Sequence, residues 1–290
     1  MRTLKFKPIY KQIVEKLKKA KVSDYETDAA LICSFVLEIP KLNVKLVEEI
    51  SKRDFKRIKK LVRQRIKRVP LQHLLEFVNF INLELYVNKN VLIPRFETEL
   101  LADIIIKAVQ KHEKKRPKVL DLCCGSGALG LSIAKNTKAK VMLSDISIKA
   151  LGVAKYNAKY NELEVDFTRS DLFDNIEEKF DLIVSNPPYI ETSDIYTLMP
   201  EVRLYEPIIA LDGGNDGLYY YKRIVPELKK HLKPNGLVYF EHGKGQENAI
   251  KSLLEEYGFS EIEILQDYNG INRFIKAVSK PKERKKWLKS

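Results

Sequence analysis

The chain is poor in the residues that build covalent or metal-bound scaffolds: its 290 residues include three cysteines, four histidines and one tryptophan. Cys33, Cys123 and Cys124 are odd in number and show no C-x-x-C spacing, so neither a disulfide framework nor a metal site is expected. Long apolar runs are missing as well. No stretch approaches the roughly 20 residues that span a bilayer, and Met1-Arg2-Thr3-Leu4-Lys5 leads into a charged amphipathic segment rather than a signal sequence. A cytoplasmic protein without membrane contact is the expectation. Acidic residues are scarce relative to basic ones, 39 against 52, for a net charge of +13. Residues 1–75 carry 20 Lys and Arg against 8 Asp and Glu, and residues 280–290 carry 6 against 1, which leaves the middle of the chain net acidic. Any weak nucleic-acid contact therefore belongs to the basic ends, and much of that charge reads as solvated helix face.

What is present falls into two patterns. Up to about Arg68 the period is helical: Ile9, Ile13 and Leu17 recur every four residues, and Ser23-x-x-Glu26 reads as a capping box before Ala29, Ile32, Cys33 and Val36. Another helix, about Lys52 to Arg68, sets Phe55, Ile58, Leu61, Val62 and Ile66 against Lys and Arg nearly everywhere else. Residues 1–76 are expected to be a helical domain that holds a substrate, 77–96 a β-hairpin linker, 97–279 the catalytic domain and 280–290 a basic tail. The second pattern alternates strand and helix: strands are expected at 119–124, 140–144, 165–169, 180–185 and 237–240, with helices after the first, second and fourth, and Pro234-Asn235-Gly236 forms a turn before the fifth. Two final strands near Ile262 and Phe274 are joined by too few residues for a helical crossover, so they are expected to be antiparallel. The fold class is an α/β Rossmann-like sheet of seven strands, six parallel and the last reversed.

Chemistry concentrates at three strand ends. Val119–Cys124 runs into Gly125-Ser126-Gly127, where glycines let the backbone approach a ligand and the next helix offers free N–H groups. The following strand ends in Asp145, placed to accept ribose hydroxyls. Phe180–Ser185 ends in Asn186-Pro187-Pro188-Tyr189. The two prolines hold the Asn186 side-chain oxygen and the Pro187 carbonyl as a double acceptor suited to a planar NH2 group, with Tyr189 expected to pack on its flat face. The glycine turn and acid admit NAD, ATP or S-adenosylmethionine. Gly125-Ser126-Gly127-Ala128-Leu129-Gly130 satisfies the NAD fingerprint loosely, and no G-x-x-x-x-G-K-[ST] loop exists for ATP. The double acceptor favours methylation of an NH2 group, since hydride transfer has no use for it.

The turn Asp121–Gly127, Asp145 and Asn186–Tyr189 resemble the class I S-adenosylmethionine-dependent methyltransferases that act on planar nitrogen. With Val91–Glu99, Tyr205-Glu206-Pro207, Glu241-His242-Gly243 and Asp267-Tyr268-Asn269-Gly270, the chain resembles more narrowly the HemK-type family, the protein-(glutamine-N5) methyltransferases of peptide chain release factors. The resemblance covers about residues 70–279 and includes a helical front domain of matching size. It implies that S-adenosylmethionine contacts Cys123, Cys124, Gly125, Ser126, Gly127, Asp145, Leu172 and Asn186. It further implies that the glutamine of the release factor's Gly-Gly-Gln loop sits on Asn186, Pro187, Pro188 and Tyr189. The chain departs from the family at Cys123, where Gly is usual, at Leu172, where an aromatic is frequent, and at Phe96, where Pro is usual; contact of Leu172 with the adenine would be apolar packing. Two other readings stay open: an adenine-N6 or other nucleic-acid aminomethyltransferase using the same Asn-Pro-Pro-Tyr array, and a non-catalytic module that grips a translational partner.

Overall fold

The computed structural model describes residues 3–280, so the expected basic tail, beyond Lys280, lies outside the described residues. They form two compact units: one runs up to Phe77 and takes in Met199–Tyr205, and the other comprises Val78–Leu198 and the chain from Glu206 onward.

In the first unit, β1 (Thr3–Lys5) pairs antiparallel with β2 (Glu49–Ser51), and α1 (Phe6–Lys19), α2 (Tyr25–Leu37), α3 (Lys52–Ile66) and α4 (Leu71–Leu75) enclose a core of Phe6, Leu17, Ile32, Ile58 and Val62. The four-residue apolar spacing of α1 and α3 produces that core. Ser51 caps α3 by accepting from the Asp54 N–H at 3.1 Å. The capping box expected at Ser23 does not form: Asp24 occupies the N-cap of α2 and no side chain caps it.

The second unit begins at Val78, within the hairpin of β3 (Phe77–Phe80) and β4 (Leu83–Tyr86), whose Phe80, Leu83 and Leu85 are part of that unit's own core. It continues with α5 (Phe96–Gln110), β5 (Lys118–Leu122), α6 (Ala128–Asn136), β6 (Lys140–Asp145), α7 (Ile148–Tyr160), β7 (Asp166–Arg169) and β8 (Phe180–Ser185). After α8 (Pro200–Tyr205), which lies in the first unit, come α9 (Tyr219–His231), β9 (Leu232–Glu241), α10 (Glu247–Glu256), β10 (Ser260–Gln266) and β11 (Asn272–Ser279). The sheet order is β10-β11-β9-β8-β5-β6-β7, and β11 is antiparallel to both neighbours while β5 to β9 run parallel, as the sequence predicts. Alternation on β5 sends Val119 to the face covered by α5, α6 and α7, and Leu120 and Leu122 to the face covered by α9 and α10. β9 starts five residues earlier than expected. Leu232 pairs with Phe180 and Leu237 with Leu182, so the Pro-Asn-Gly turn is a bulge within the strand, with Asn235 at φ 59°. β6 and β7 follow β5 on one side and β8 and β9 on the other, which opens a crevice at the carboxyl ends of β5 and β8. No described helix is long and apolar enough to cross a membrane.

Candidate active site

Beyond Leu122 the backbone turns through Cys123 (φ 62°), Gly125 (φ 54°) and Gly127 (φ 85°), three left-handed residues in five. Gly127 has a second constraint: a Cβ there would meet Leu131 and Leu143 at 3.0 Å. The turn is tied to β6, since the Gly125 N–H donates to Asp145 Oδ2 at 2.9 Å and the Cys124 N–H to the Ser144 carbonyl at 2.9 Å. Asp145 Oδ1 accepts from the Ser147 N–H at 2.8 Å; burial raises the Asp145 pKa, and these backbone donors oppose the rise. Inside the turn, Asp121 is buried and accepts from the Gly130 N–H at 2.8 Å. Burial pushes its pKa up to about 7.

These ends open onto a cavity of about 1150 Å³, mouth included, lined by Cys123, Cys124, Gly125, Ser126, Asp145, Leu172, Asn186 and Pro188 among the expected residues. Gly127, Pro187 and Tyr189 do not line it. Tyr189, expected on the flat face of a bound amide, instead turns its hydroxyl to Glu241 Oε1 at 3.4 Å, with its ring against the second core cluster. The Asn186 Nδ2 donates to the Thr98 hydroxyl at 3.3 Å, and its Oδ1 has no partner among the described residues.

Several lining residues were given no site role by the sequence: Thr98 and Asp121, which lie within stretches of the resemblance, and Asp171 and Arg223, which pair at 3.0 Å. Glu206 was visible as part of Tyr205-Glu206-Pro207, and the structure gives it a task. Its buried carboxylate accepts from the Ile93 N–H at 3.1 Å and from Arg95 at 2.7 Å, tying the segment before α5, whose Leu92 and Pro94 line the cavity, to the segment that brings Pro207, Ile209 and Ala210 to it. Cys123 and Cys124 have thiol pKa values pushed up by burial, so both are neutral thiols. Burial lowers the pKa of His242, so its imidazole is neutral.

The donor set fits S-adenosylmethionine: carboxylates at Asp121, Asp145 and Asp171 suit a cationic amino acid and ribose hydroxyls, and Leu172 and Ile146 offer apolar contact for a base. Residues 97–202 match the family model Methyltransferase small domain, and residues 9–75 match PrmC N-terminal domain. Among solved structures, a methyltransferase from Pyrococcus furiosus superposes with a TM-score of 0.53 at 18% identity, covering 69% of this chain and 91% of that one, which supports the fold. The release factor glutamine methyltransferase of Clostridium acetobutylicum is 40% identical over 270 residues, 90% of this chain and 94% of its own. That of Thermodesulfovibrio yellowstonii is 37% identical over 252 residues, 86% and 90% respectively. With the site and these relatives in agreement, the chain belongs to the release factor glutamine methyltransferase family.

Proposed function

We propose that the protein transfers a methyl group from S-adenosylmethionine to the side-chain amide nitrogen of the glutamine in the Gly-Gly-Gln loop of peptide chain release factors. The observation that carries this reading is Asn186, which lines the cavity with its oxygen unpartnered and its NH2 group engaged elsewhere. When bound, S-adenosylmethionine supplies an electrophilic methyl group on a sulfonium sulfur. Asp145 would hold its ribose and Leu172 its base. The protein's task is to make a poor nucleophile attack, because the amide lone pair is delocalised into the carbonyl. Asn186 Oδ1 would accept an amide proton and hold the nitrogen in line for attack. No separate base is needed, since the nitrogen becomes strongly acidic as it bonds carbon and its proton can pass to this acceptor or to water. Pro187 and Pro188 keep the turn rigid, and Tyr189 braces it from behind through Glu241.

Weak nucleic-acid contact belongs with this reading as an accessory. Lys52, Lys56, Lys59 and Arg63 are exposed at three- and four-residue spacing along α3, a cationic stripe on one helix face.

The test is transfer of radiolabelled methyl to three acceptors in parallel: a release factor, the same factor with its Gly-Gly-Gln glutamine replaced, and total nucleic acid. Label on the first alone is the expected result. Label on nucleic acid with none on either protein moves the assignment to an amino-methyltransferase of bases, and steeply salt-dependent binding would then make the α3 stripe part of substrate capture.

A further inference from the structure

Thr98, in the first turn of α5, and Glu241, at the end of β9, have exposures of only 5% and 2%. The Thr98 hydroxyl donates to Glu241 Oε2 at 2.8 Å, and the Thr98 hydroxyl oxygen in turn accepts from Asn186 Nδ2 at 3.3 Å. A hydroxyl has one proton. While that proton is committed to the carboxylate, Thr98 can only accept, so the Asn186 amide must turn its NH2 to Thr98 and its oxygen away. With the amide reversed, two oxygens would face each other with no proton between them, which disfavours that rotamer. We propose that Thr98 and Glu241 are positioning residues that lock the Asn186 amide with its oxygen toward the acceptor, so that the site selects an incoming NH2 donor. The role rests on the glutamine-methyltransferase reading for its substrate, while the orientation itself rests on the hydrogen bonds alone.

The lock depends on charge. An ionised Glu241 can only accept, but a protonated one can donate to Thr98 and release the threonine proton toward Asn186. Burial foremost, and then Glu97 of α5, raise the Glu241 pKa to about 7 against the opposing hydrogen bonds of Thr98, Tyr189 and Asn186. The other groups facing this corner are the Tyr221 hydroxyl of α9, which donates to the Glu241 carbonyl, the neutral His242 imidazole, and the Arg273 and Arg95 cations, which act on Tyr189. Turnover therefore rises with pH through about 7 as Glu241 ionises.

The experiment uses the full chain with a release factor as acceptor and compares wild type, Thr98→Ser, Thr98→Val and Glu241→Gln. It reads kcat and KM between pH 5.5 and 8.5, the dissociation constant of S-adenosylmethionine by calorimetry, and the side-chain amide NMR signals of Asn186, assigned by their loss in Asn186→Asp. Thr98→Val is expected to lower kcat about 10- to 100-fold with cofactor affinity changed less than about threefold, and Thr98→Ser to recover most of the rate. Glu241→Gln should lower kcat and abolish the rise near pH 7. The Asn186 amide signals should titrate near pH 7 in wild type and not in Glu241→Gln. A folded Thr98→Val with wild-type kcat overturns the proposal, and so does an Asn186 signal that ignores Glu241. Should wild type label no release factor, the substrate reading fails, and the NMR titration still decides the lock.

Discussion

At Cys123 the backbone takes a left-handed conformation that favours glycine, and the side chain there is a small neutral thiol. Such a residue carries a strain of roughly 1 kcal/mol. Cys123→Gly should relieve it and raise the denaturant midpoint, less whatever the more flexible unfolded chain takes back; a lower midpoint would mean that the sulfur contributes packing that outweighs the strain. Asp121 makes a second prediction. Its pKa of about 7 reflects burial first, with the nearby Asp145 charge adding to it. Its ionised form attracts the sulfonium and ammonium charges of the cofactor, so affinity for S-adenosylmethionine should tighten up to about tenfold between pH 6 and 8, and Asp121→Asn should flatten that dependence in a calorimetric titration. The sequence exposed Asn186 and Asp145 because each ends an apolar run and has chemistry of its own. Thr98 and Glu241 were visible only as members of the Val91–Glu99 and Glu241-His242-Gly243 stretches of the resemblance, without a role of their own, and only folding brings Thr98 to the end of β9. The side on which the Tyr189 ring falls is hidden for a related reason, since spacing says only that it follows the prolines.

Among the elements, the sheet's amino-terminal edge is pinned by Asp181 of β8. Its carboxylate takes Lys114 at 2.6 Å, Lys233 at 2.7 Å and the Lys118 N–H of β5 at 2.8 Å. Burial alone would raise the Asp181 pKa, yet these three donors prevail and hold it down at about 2, below the ordinary 3.8. A depressed carboxylate stabilises the fold above its unfolded pKa, so the contribution is complete above about pH 4 and is lost as pH falls toward 2. It amounts to about 2 kcal/mol. In urea titrations the stability gap between wild type and Asp181→Asn should be full at pH 5 and shrink toward pH 2; a gap independent of pH would assign the effect to shape rather than charge. The order of strands and helices was legible because a period of two and a period of 3.6 differ over any six residues. The start of β9 was not, because Pro234-Asn235-Gly236 has the composition of a turn whether it ends a strand or bulges from one.

For the molecule as a whole, the notable fact is that α8 belongs to the helical unit although it follows β8 in the chain. Arg65 of α3, with a side chain only 7% exposed, binds Asp28 of α2 at 2.6 Å and Glu201 of α8 at 2.9 Å, and Arg68 takes the other Glu201 oxygen at 2.6 Å. The Tyr205 hydroxyl donates to the Lys67 carbonyl at 2.8 Å. Glu201→Ala would leave a buried guanidinium with one carboxylate instead of two and should cost about 3 kcal/mol. Hydrogen exchange should then rise first at 199–205, and unchanged protection there would show that α8 is held by its apolar contacts instead. Nothing in the sequence announces this, since a six-residue helix with one buried glutamate has no period to read.

That arrangement sets a timetable for the nascent chain. The helical unit is encoded first, yet its last piece is not synthesised until Tyr205, some 128 residues after Phe77. At bacterial-like elongation rates of about 5–20 residues per second, the first 77 residues wait on the order of ten seconds with Arg65 half answered. The unit that emerges first is thus finished only after β8 and the Asn-Pro-Pro-Tyr turn have left the ribosome, so a truncated product released before residue 199 contains neither unit complete.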